Sequence, residues 1–314
     1  MRDTPCENCG VLNVVCHPEV ADALNEGRAV LTLESTIFSH LGLPSPANGE
    51  ALDRCLAIIR AHGAIPAVTA VLDGVARVGL DAGDHERILG PARKLAERDL
   101  GVAIAQGWDF GATTVSAAVA LSHAAGVQVF ATGGIGGVHR GAELSGDVSA
   151  DLDALARHPV VTVCAGAKIF LDLARTLEYL ETVGVPVLGW RHDWFPAFYS
   201  RSSGLPIPHR VEHAAQVAGV LQHRARPDTG VLVTAPIPES AELPADELNA
   251  ALDQALAEAH AAGVTGPGVT PFVLAGIGRA TEGRSVPANL ALAENNAGIA
   301  ADIAVEIARG SAGR

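Results

Sequence analysis

Side chains that follow an apolar strand at its carboxyl end are where α/β proteins do their chemistry, and several reactive groups in this chain have that setting. Glu34 directly follows Val30-Leu31-Thr32-Leu33. A carboxyl group leaving a buried strand loses hydration, which raises its pKa and suits it to general acid–base work; a turn cap made by Glu34 and Ser35 is the alternative. Lys168 ends Ala165-Gly166-Ala167-Lys168, just past the apolar run Val160–Cys164. An amine desolvated there is nucleophilic and can form a Schiff base with a sugar aldehyde, although phosphate sites also recruit lysine and a helix can begin with one.

Between these two lies Thr132-Gly133-Gly134-Ile135-Gly136-Gly137-Val138-His139-Arg140-Gly141. Glycines at that density let backbone N–H groups converge on an anion, with His139 and Arg140 adding charge, or they form a bare turn. The run fits neither the dinucleotide fingerprint nor the phosphate loop ending in Gly-Lys-Ser/Thr. Asp147-Val148-Ser149-Ala150-Asp151 then supplies two carboxylates and a hydroxyl in five residues. That group suits a hard divalent cation and sugar hydroxyls, while Asp151 suits equally well a cap on the following helix. Lys94 sits in a charged stretch that reads as a solvated helix face. Asn289 and the pair Asn295-Asn296 interrupt an Ala/Leu/Ile helix, and a buried amide there requires a partner, a ligand among the candidates. Cys6, Cys9, Cys16 and His17 form either a metal knuckle or part of a variable terminus.

The elements that must position these groups alternate β-branched runs with helical stretches, which predicts an α/β fold: a three-layer α/β/α sandwich with a mixed, largely parallel sheet. Strands are expected at 29–33, 65–72, 102–105, 127–131, 160–164, 185–189, 230–234 and 272–274. Helices are expected from about Asn48, with Leu52, Cys55, Leu56 and Ile59 on one face, and over 114–125, 169–183, 211–224, 241–262 and 288–309. Asp73-Gly74 between two apolar runs predicts a hairpin, hence an antiparallel component. No repeat or linker divides the chain, so residues 1–27 read as an N-terminal extension and 28–314 as a single domain.

Composition narrows the partners. Lys and Arg number 22 against 35 Asp and Glu, a net charge of −13, so the chain lacks the basic footprint of a nucleic-acid or anionic-lipid binder. Aromatic residues at 4% leave few stacking platforms for single strands. Hydrophobic residues at 48% support a large core, but no uninterrupted apolar run approaches the roughly 20 residues of a membrane span. A polar N-terminus without an apolar h-region, and five cysteines, an odd number, fit a reducing cytoplasm.

Leu33-Glu34-Ser35-Thr36-Ile37, the 90–100 segment with Lys94 and Arg98-Asp99-Leu100, Gly111-Ala112-Thr113-Thr114-Val115, Phe130 through Ala142, Ser149-Ala150-Asp151-Leu152, Cys164–Lys168, Thr176–Leu180, Phe195–Tyr199 and Asn295-Asn296-Ala297 together resemble the pseudouridine-5′-phosphate glycosidase family, which includes the indigoidine synthase A-like proteins. The resemblance spans roughly residues 28–310. It implies reversible cleavage of the C–C glycosidic bond of pseudouridine 5′-phosphate to uracil and ribose 5-phosphate, the pseudouridylate synthase reaction, by a homotrimeric enzyme with a divalent metal, usually Mn²⁺. By that likeness Glu34 is the acid and base, Lys168 the nucleophile, and Asp147 the metal ligand. Lys94, Val115 and the stretch Ser149, Ala150 and Asp151 are substrate contacts. His139 in the glycine loop is expected on the phosphate, and Asn289 or Asn296 on uracil. Another Schiff-base lyase acting on a phosphosugar, or a non-catalytic ribose-phosphate-binding protein, are the competing readings.

Overall fold

The computed structural model describes residues 4–5, 12–264 and 268–312. Its strands are β1 (Thr4–Pro5), β2 (Val15–Cys16), β3 (Val30–Leu33), β4 (Ile65–Leu72), β5 (Val75–Val78), β6 (Arg93–Leu95), β7 (Phe110–Thr113), β8 (Val129–Ala131), β9 (Val138–His139), β10 (Val161–Cys164), β11 (Leu171–Asp172), β12 (Val187–Trp190), β13 (His209–Val211) and β14 (Val231–Thr234). Its helices are α1 (Pro18–Asn25), α2 (Ala47–Ala61), α3 (Ala82–Ile88), α4 (Leu100–Ala105), α5 (Val115–Ala124), α6 (Ala142–Ser145), α7 (Ala150–Arg157), α8 (Leu173–Thr182), α9 (Ala214–His223), α10 (Ala245–Ala261), α11 (Val269–Ala280) and α12 (Ser285–Ala312).

Among the described residues one large sheet runs β1-β2-β5-β4-β3-β8-β10-β14-β12-β13. The block from β4 through β3, β8, β10, β14 and β12 to β13 is parallel. All of its strands but the edge strand β13 are buried on both faces, as strands must be when helices cover both sides of the sheet. β4 is long enough to change partners: Ile65–Val68 pair with β3, while its carboxyl half pairs antiparallel with β5 and β7. The β4–β5 hairpin turns at Asp73-Gly74, both residues at positive φ (52° and 74°), the backbone a two-residue hairpin requires. α2 and α12 pack together, and α12 lies on β3, β8 and β10. Ala297, Ala300, Ala301 and Ala304 of α12 are buried, small enough to bring the helix close to the sheet. α5 packs on β3, β4 and β8 as well as on α7, and its residues 115–122 are all buried. Among the described residues no helix is long and apolar enough to cross a membrane.

Several local expectations give way to tertiary context. Residues 102–105 are the end of α4, not a strand: Leu100 and Ala103 are buried while Val102 is 45% exposed, a spacing of three that a four-residue apolar run conceals. Residues 272–274 lie inside α11, where Val273 and Ile277 bury one face. The stretch 169–183 opens with β11, paired antiparallel to β9, and only then becomes α8, capped by Asp172 Oδ1 accepting from Arg175 N at 3.0 Å. The stretch 211–224 likewise begins as β13 before α9, and the helix expected over 241–262 starts at Ala245. Lys94 lies on strand β6, parallel to β7, rather than on a helix face.

Cys6 and Cys9 lie outside the described residues. Cys16 is buried in β2, which pairs with β5. His17 caps α1, its Nδ1 accepting from Glu19 N at 3.3 Å.

Candidate active site

Parallel register builds the first part of the site. Leu33 of β3 lies opposite Ala131 of β8, and Ala131 opposite Val163 of β10. The residues that follow these strands therefore emerge side by side, although they are far apart in sequence. Glu34 and Thr132 meet in this way, and the Thr132 hydroxyl donates a short hydrogen bond to Glu34 Oε1. Glu34 is only 7% exposed. Burial pushes its carboxyl above the ordinary range, opposed by the Lys168 ammonium and the Thr132 hydrogen bond. A carboxyl group so placed holds its proton to higher pH than a free one, as a general acid must.

Lys168 reaches the same region from the far end of the loop after β10. Its N–H donates to Ile135 O at 3.1 Å, and Ala165 N donates to Gly133 O at 2.9 Å, so this loop is tied to the glycine loop by backbone bonds. Gly166 adopts φ +80°, and a Cβ there would collide with the Pro196 carbonyl. Cys164, one turn earlier, is no rival nucleophile, because burial pushes its thiol up to about 12.

Lys168 lines a cleft of about 290 Å³ together with Lys94, Arg98, Thr114, Ser116, Gly136, His139, Asp147 and Ser149 through Asp151. Lys94 opens to solvent at the mouth, yet the surrounding protein desolvates it enough to lower its pKa, with the Lys168 charge adding to the effect. Burial also lowers the pKa of His139, against the pull of Asp147, whose carboxylate lies 3.7 Å from His139 Nδ1. The cleft thus offers two amines and a carboxylate–imidazole pair, in a volume suited to a phosphorylated pentose. A larger cavity of about 490 Å³ adjoins across Leu171 but is lined by neither lysine.

The glycine loop does something different from what its composition suggests. Gly136 N donates to Asp151 Oδ2 at 2.8 Å, while Ser116 N, in the first turn of α5, donates to Asp151 Oδ1 at 3.0 Å. Asp151 is 5% exposed. It does not cap its own helix; that is done by Ser149 Oγ, which accepts from Asp151 N at 3.2 Å. Instead it clamps the loop to α5, and a Cβ on Gly136 would lie 2.7 Å from Asp151 Oδ2 and closer still to Ser149 Oγ. Glycine is required here for the close approach of Ser149 and Asp151.

The remaining predicted residues divide. Val115 is buried, so its side chain faces the core and its neighbours Thr114 and Ser116 line the cleft. Asn296 is fully buried behind the loop, its Nδ2 donating to Thr132 O at 2.8 Å and to Gly133 O at 3.2 Å. Asn289 Nδ2 lies 3.5 Å from Tyr199 Oη. In both amides Oδ1 is buried without a hydrogen-bond partner, an unusual cost unless a donor arrives with a ligand. Sequence reading assigned no role to Thr132, Thr114 or Ser116. The register of β3 against β8 is the signal that would have found Thr132.

No three His, Cys, Asp or Glu side chains converge as a metal cage among the described residues. The donors present are the half-exposed Asp147 carboxylate and the His139 ring beside it. That set fits a hard, water-rich ion such as Mg²⁺ or Mn²⁺, which keeps several waters and takes one or two protein carboxylates; it does not fit a closed structural site.

Comparison with known proteins places the chain by sequence and by fold. The chain is 51% identical over 298 residues to a pseudouridine-5′-phosphate glycosidase of Methylobacterium nodulans, covering 92% of this chain and 87% of that protein. It is 50% identical to one of Chloroflexus aurantiacus, covering 92% and 97%. Among solved structures, the prealnumycin C-glycosynthase AlnA in complex with ribulose 5-phosphate superposes with a TM-score of 0.88 at 33% identity, covering 96% of this chain and 99% of that one. An indigoidine synthase A-like protein from Thermotoga maritima superposes with a TM-score of 0.85 at 35% identity, covering 94% and 97%. The family described as indigoidine synthase A like protein matches residues 19–306. With its sequence and its fold both matched over nearly the whole length, the chain belongs to the indigoidine synthase A-like family.

Proposed function

We propose that this protein catalyses the reversible conversion of pseudouridine 5′-phosphate and water to uracil and ribose 5-phosphate. The observation that carries the reading is the buried Glu34, whose raised pKa the charge of Lys168 opposes, with Lys168 itself lining a cleft that holds a second lysine. The relatives named pseudouridine-5′-phosphate glycosidase, at about half identity, support the substrate.

The leaving atom is a carbon, so the carboxylate pair of an ordinary glycosidase, which protonates a leaving oxygen, has nothing to act on. An amine solves this. Glu34 protonates the ribose ring oxygen, the C1′–O bond breaks, and Lys168 Nζ bonds to C1′. Glu34 regains a proton from the Lys168 nitrogen as the amine adds and delivers it to C5 of uracil, and the nitrogen lone pair then forms C1′=N⁺ as the C1′–C5 bond breaks and its electrons return to the uracil ring. Water then adds to the iminium, releasing ribose 5-phosphate and the free lysine, so atoms and charge balance. Lys94, His139 and the stretch Ser149 to Asp151 bind and orient the phosphosugar, with the Val115 backbone at the first turn of α5. The unpartnered Oδ1 atoms of Asn289 and Asn296 are suited to accept from the uracil N–H groups. Asp147 would hold the divalent cation, Mn²⁺ or a similar ion, which supplies positive charge against the substrate's phosphate. A homotrimer working in the cytoplasm completes the reading.

The deciding experiment measures uracil release from pseudouridine 5′-phosphate with Mn²⁺, beside borohydride trapping read by intact mass. Uracil release, with a ribose-phosphate adduct that Lys168→Ala abolishes, is the expected result; release without any trappable adduct removes the lysine mechanism. The AlnA relationship favours one alternative, a different carbon nucleophile in place of uracil. Failure to form pseudouridine 5′-phosphate from uracil and ribose 5-phosphate, with the adduct still present, would select it.

A further inference from the structure

We propose that His123 and His158 form a two-histidine site for a borderline transition-metal cation such as Zn²⁺, at the opposite ends of the two helices that frame the cleft. α5 and α7 both begin at the cleft, with Ser116 and Ala150 among its lining residues. His123 lies in the last turn of α5, and His158 directly follows α7. Their Nδ1 atoms face each other at 3.1 Å. With Zn–N bonds of about 2.0–2.1 Å, that separation subtends an angle of about 100° at a shared ion, between the octahedral and tetrahedral values.

Three further features favour a cation. His158 Nε2 lies 2.9 Å from Glu97 Oε1. Although burial raises the Glu97 pKa, the hydrogen bond and the charge of His158, with the Arg157 charge, bring it below the ordinary range. Glu97 accepts from His158 Nε2, and in the tautomer this bond selects the Nδ1 of His158 presents its lone pair toward His123. Metal-binding histidines have this carboxylate support behind the ring. Two N–H groups cannot face each other at 3.1 Å, so at most one proton lies between the rings, and an ion replaces it when that proton moves to the other nitrogen of His123. Both rings also sit at helix carboxyl ends, where the backbone dipoles favour positive charge. Arg157 does not supply that charge unopposed, since it is paired with Asp153 and Glu97. His123 is solvent-exposed, which gives the ion a way in, and water completes the coordination.

Binding at this site would stiffen the cleft wall. Glu97 N donates to Ser116 Oγ at 3.3 Å, and its chain neighbours Ala96 and Arg98 line the cleft. The test is calorimetric titration of chelator-treated full-length protein with Zn²⁺, without substrate, comparing wild type with His123→Ala, His158→Ala and Asp147→Ala. One Zn²⁺ equivalent should survive Asp147→Ala and weaken at least tenfold in His123→Ala, with Zn²⁺ raising the melting temperature of the wild type but not of His123→Ala. Wild-type titration by His123→Ala, or no uptake by wild type at 1 mM Zn²⁺, overturns the site. Because His158 also supports Glu97, His158→Ala can lose structure, and the exposed His123→Ala keeps the test intact. The readout is binding, so it is independent of which reaction the cleft performs.

Discussion

Replacing Asp151 with Asn isolates the clamp that joins the glycine loop to α5. The substitution keeps the volume and one acceptor oxygen, so Ser116 N or Gly136 N can still be satisfied, but the other meets an NH₂ group. A hydrogen bond to a charged acceptor contributes about 1.5–3 kcal/mol, and a stranded buried donor costs about 1–3 kcal/mol. The bonds are 3.0 and 2.8 Å long and the carboxylate is 5% exposed, so solvent cannot compensate. A loss of about 3 kcal/mol is expected, lowering the melting temperature by about 4–5 °C in a chain of this length. The loop and α5 both line the cleft, so KM should rise at least tenfold as well. Gly136→Ala, which drives a Cβ against the same carboxylate, should reproduce both effects from the other side. Differential scanning calorimetry and initial rates at several substrate concentrations measure them. An Asp151→Asn protein with raised KM and unchanged melting temperature would refute the clamp and leave Asp151 acting on the phosphosugar alone.

The raised Glu34 pKa carries a stability signature. A folded state that binds this proton more tightly than the unfolded chain is fully stabilised below the ordinary carboxyl pKa and loses that contribution as pH rises through the raised value. Glu34→Gln should therefore melt higher than wild type at pH 8, with the gap closing toward pH 4.5; a gap that does not vary with pH would contradict the burial argument. Thr132→Val removes the donor that lowers the Glu34 pKa, so the alkaline limb of kcat/KM should move to higher pH, and an unmoved limb would mean that another group titrates there. Stripping divalent cations should raise KM, and Asp147→Ala should need at least tenfold more Mn²⁺ for half-activation, as read by metal-dependent rates; equal Mn²⁺ requirements would remove Asp147 as the ligand.

The alternation of apolar strands and helices, the Asp73-Gly74 hairpin, and the placement of Glu34 and Lys168 just past buried strands were legible locally, because each depends on a few consecutive residues. The same local reading misassigned residues 102–105 and 272–274, where a short apolar run satisfies a strand and a helix equally and only packing decides. Lys94 shows the limit from another side. β6 is three residues with two of them exposed, and it is a strand because β7 lies alongside it, a pairing absent from its own sequence. Glycine density identified the loop after β8 but not its role, since whether Gly136 N meets a ligand or Asp151 depends on where α7 lies. The chain by itself thus determined which groups are reactive and which strands carry them. Tertiary structure alone decided that Glu34 meets Thr132, 98 residues away, and that Asp151 reaches Ser116, because parallel pairing and helix packing bring together positions whose separation in sequence leaves no local trace.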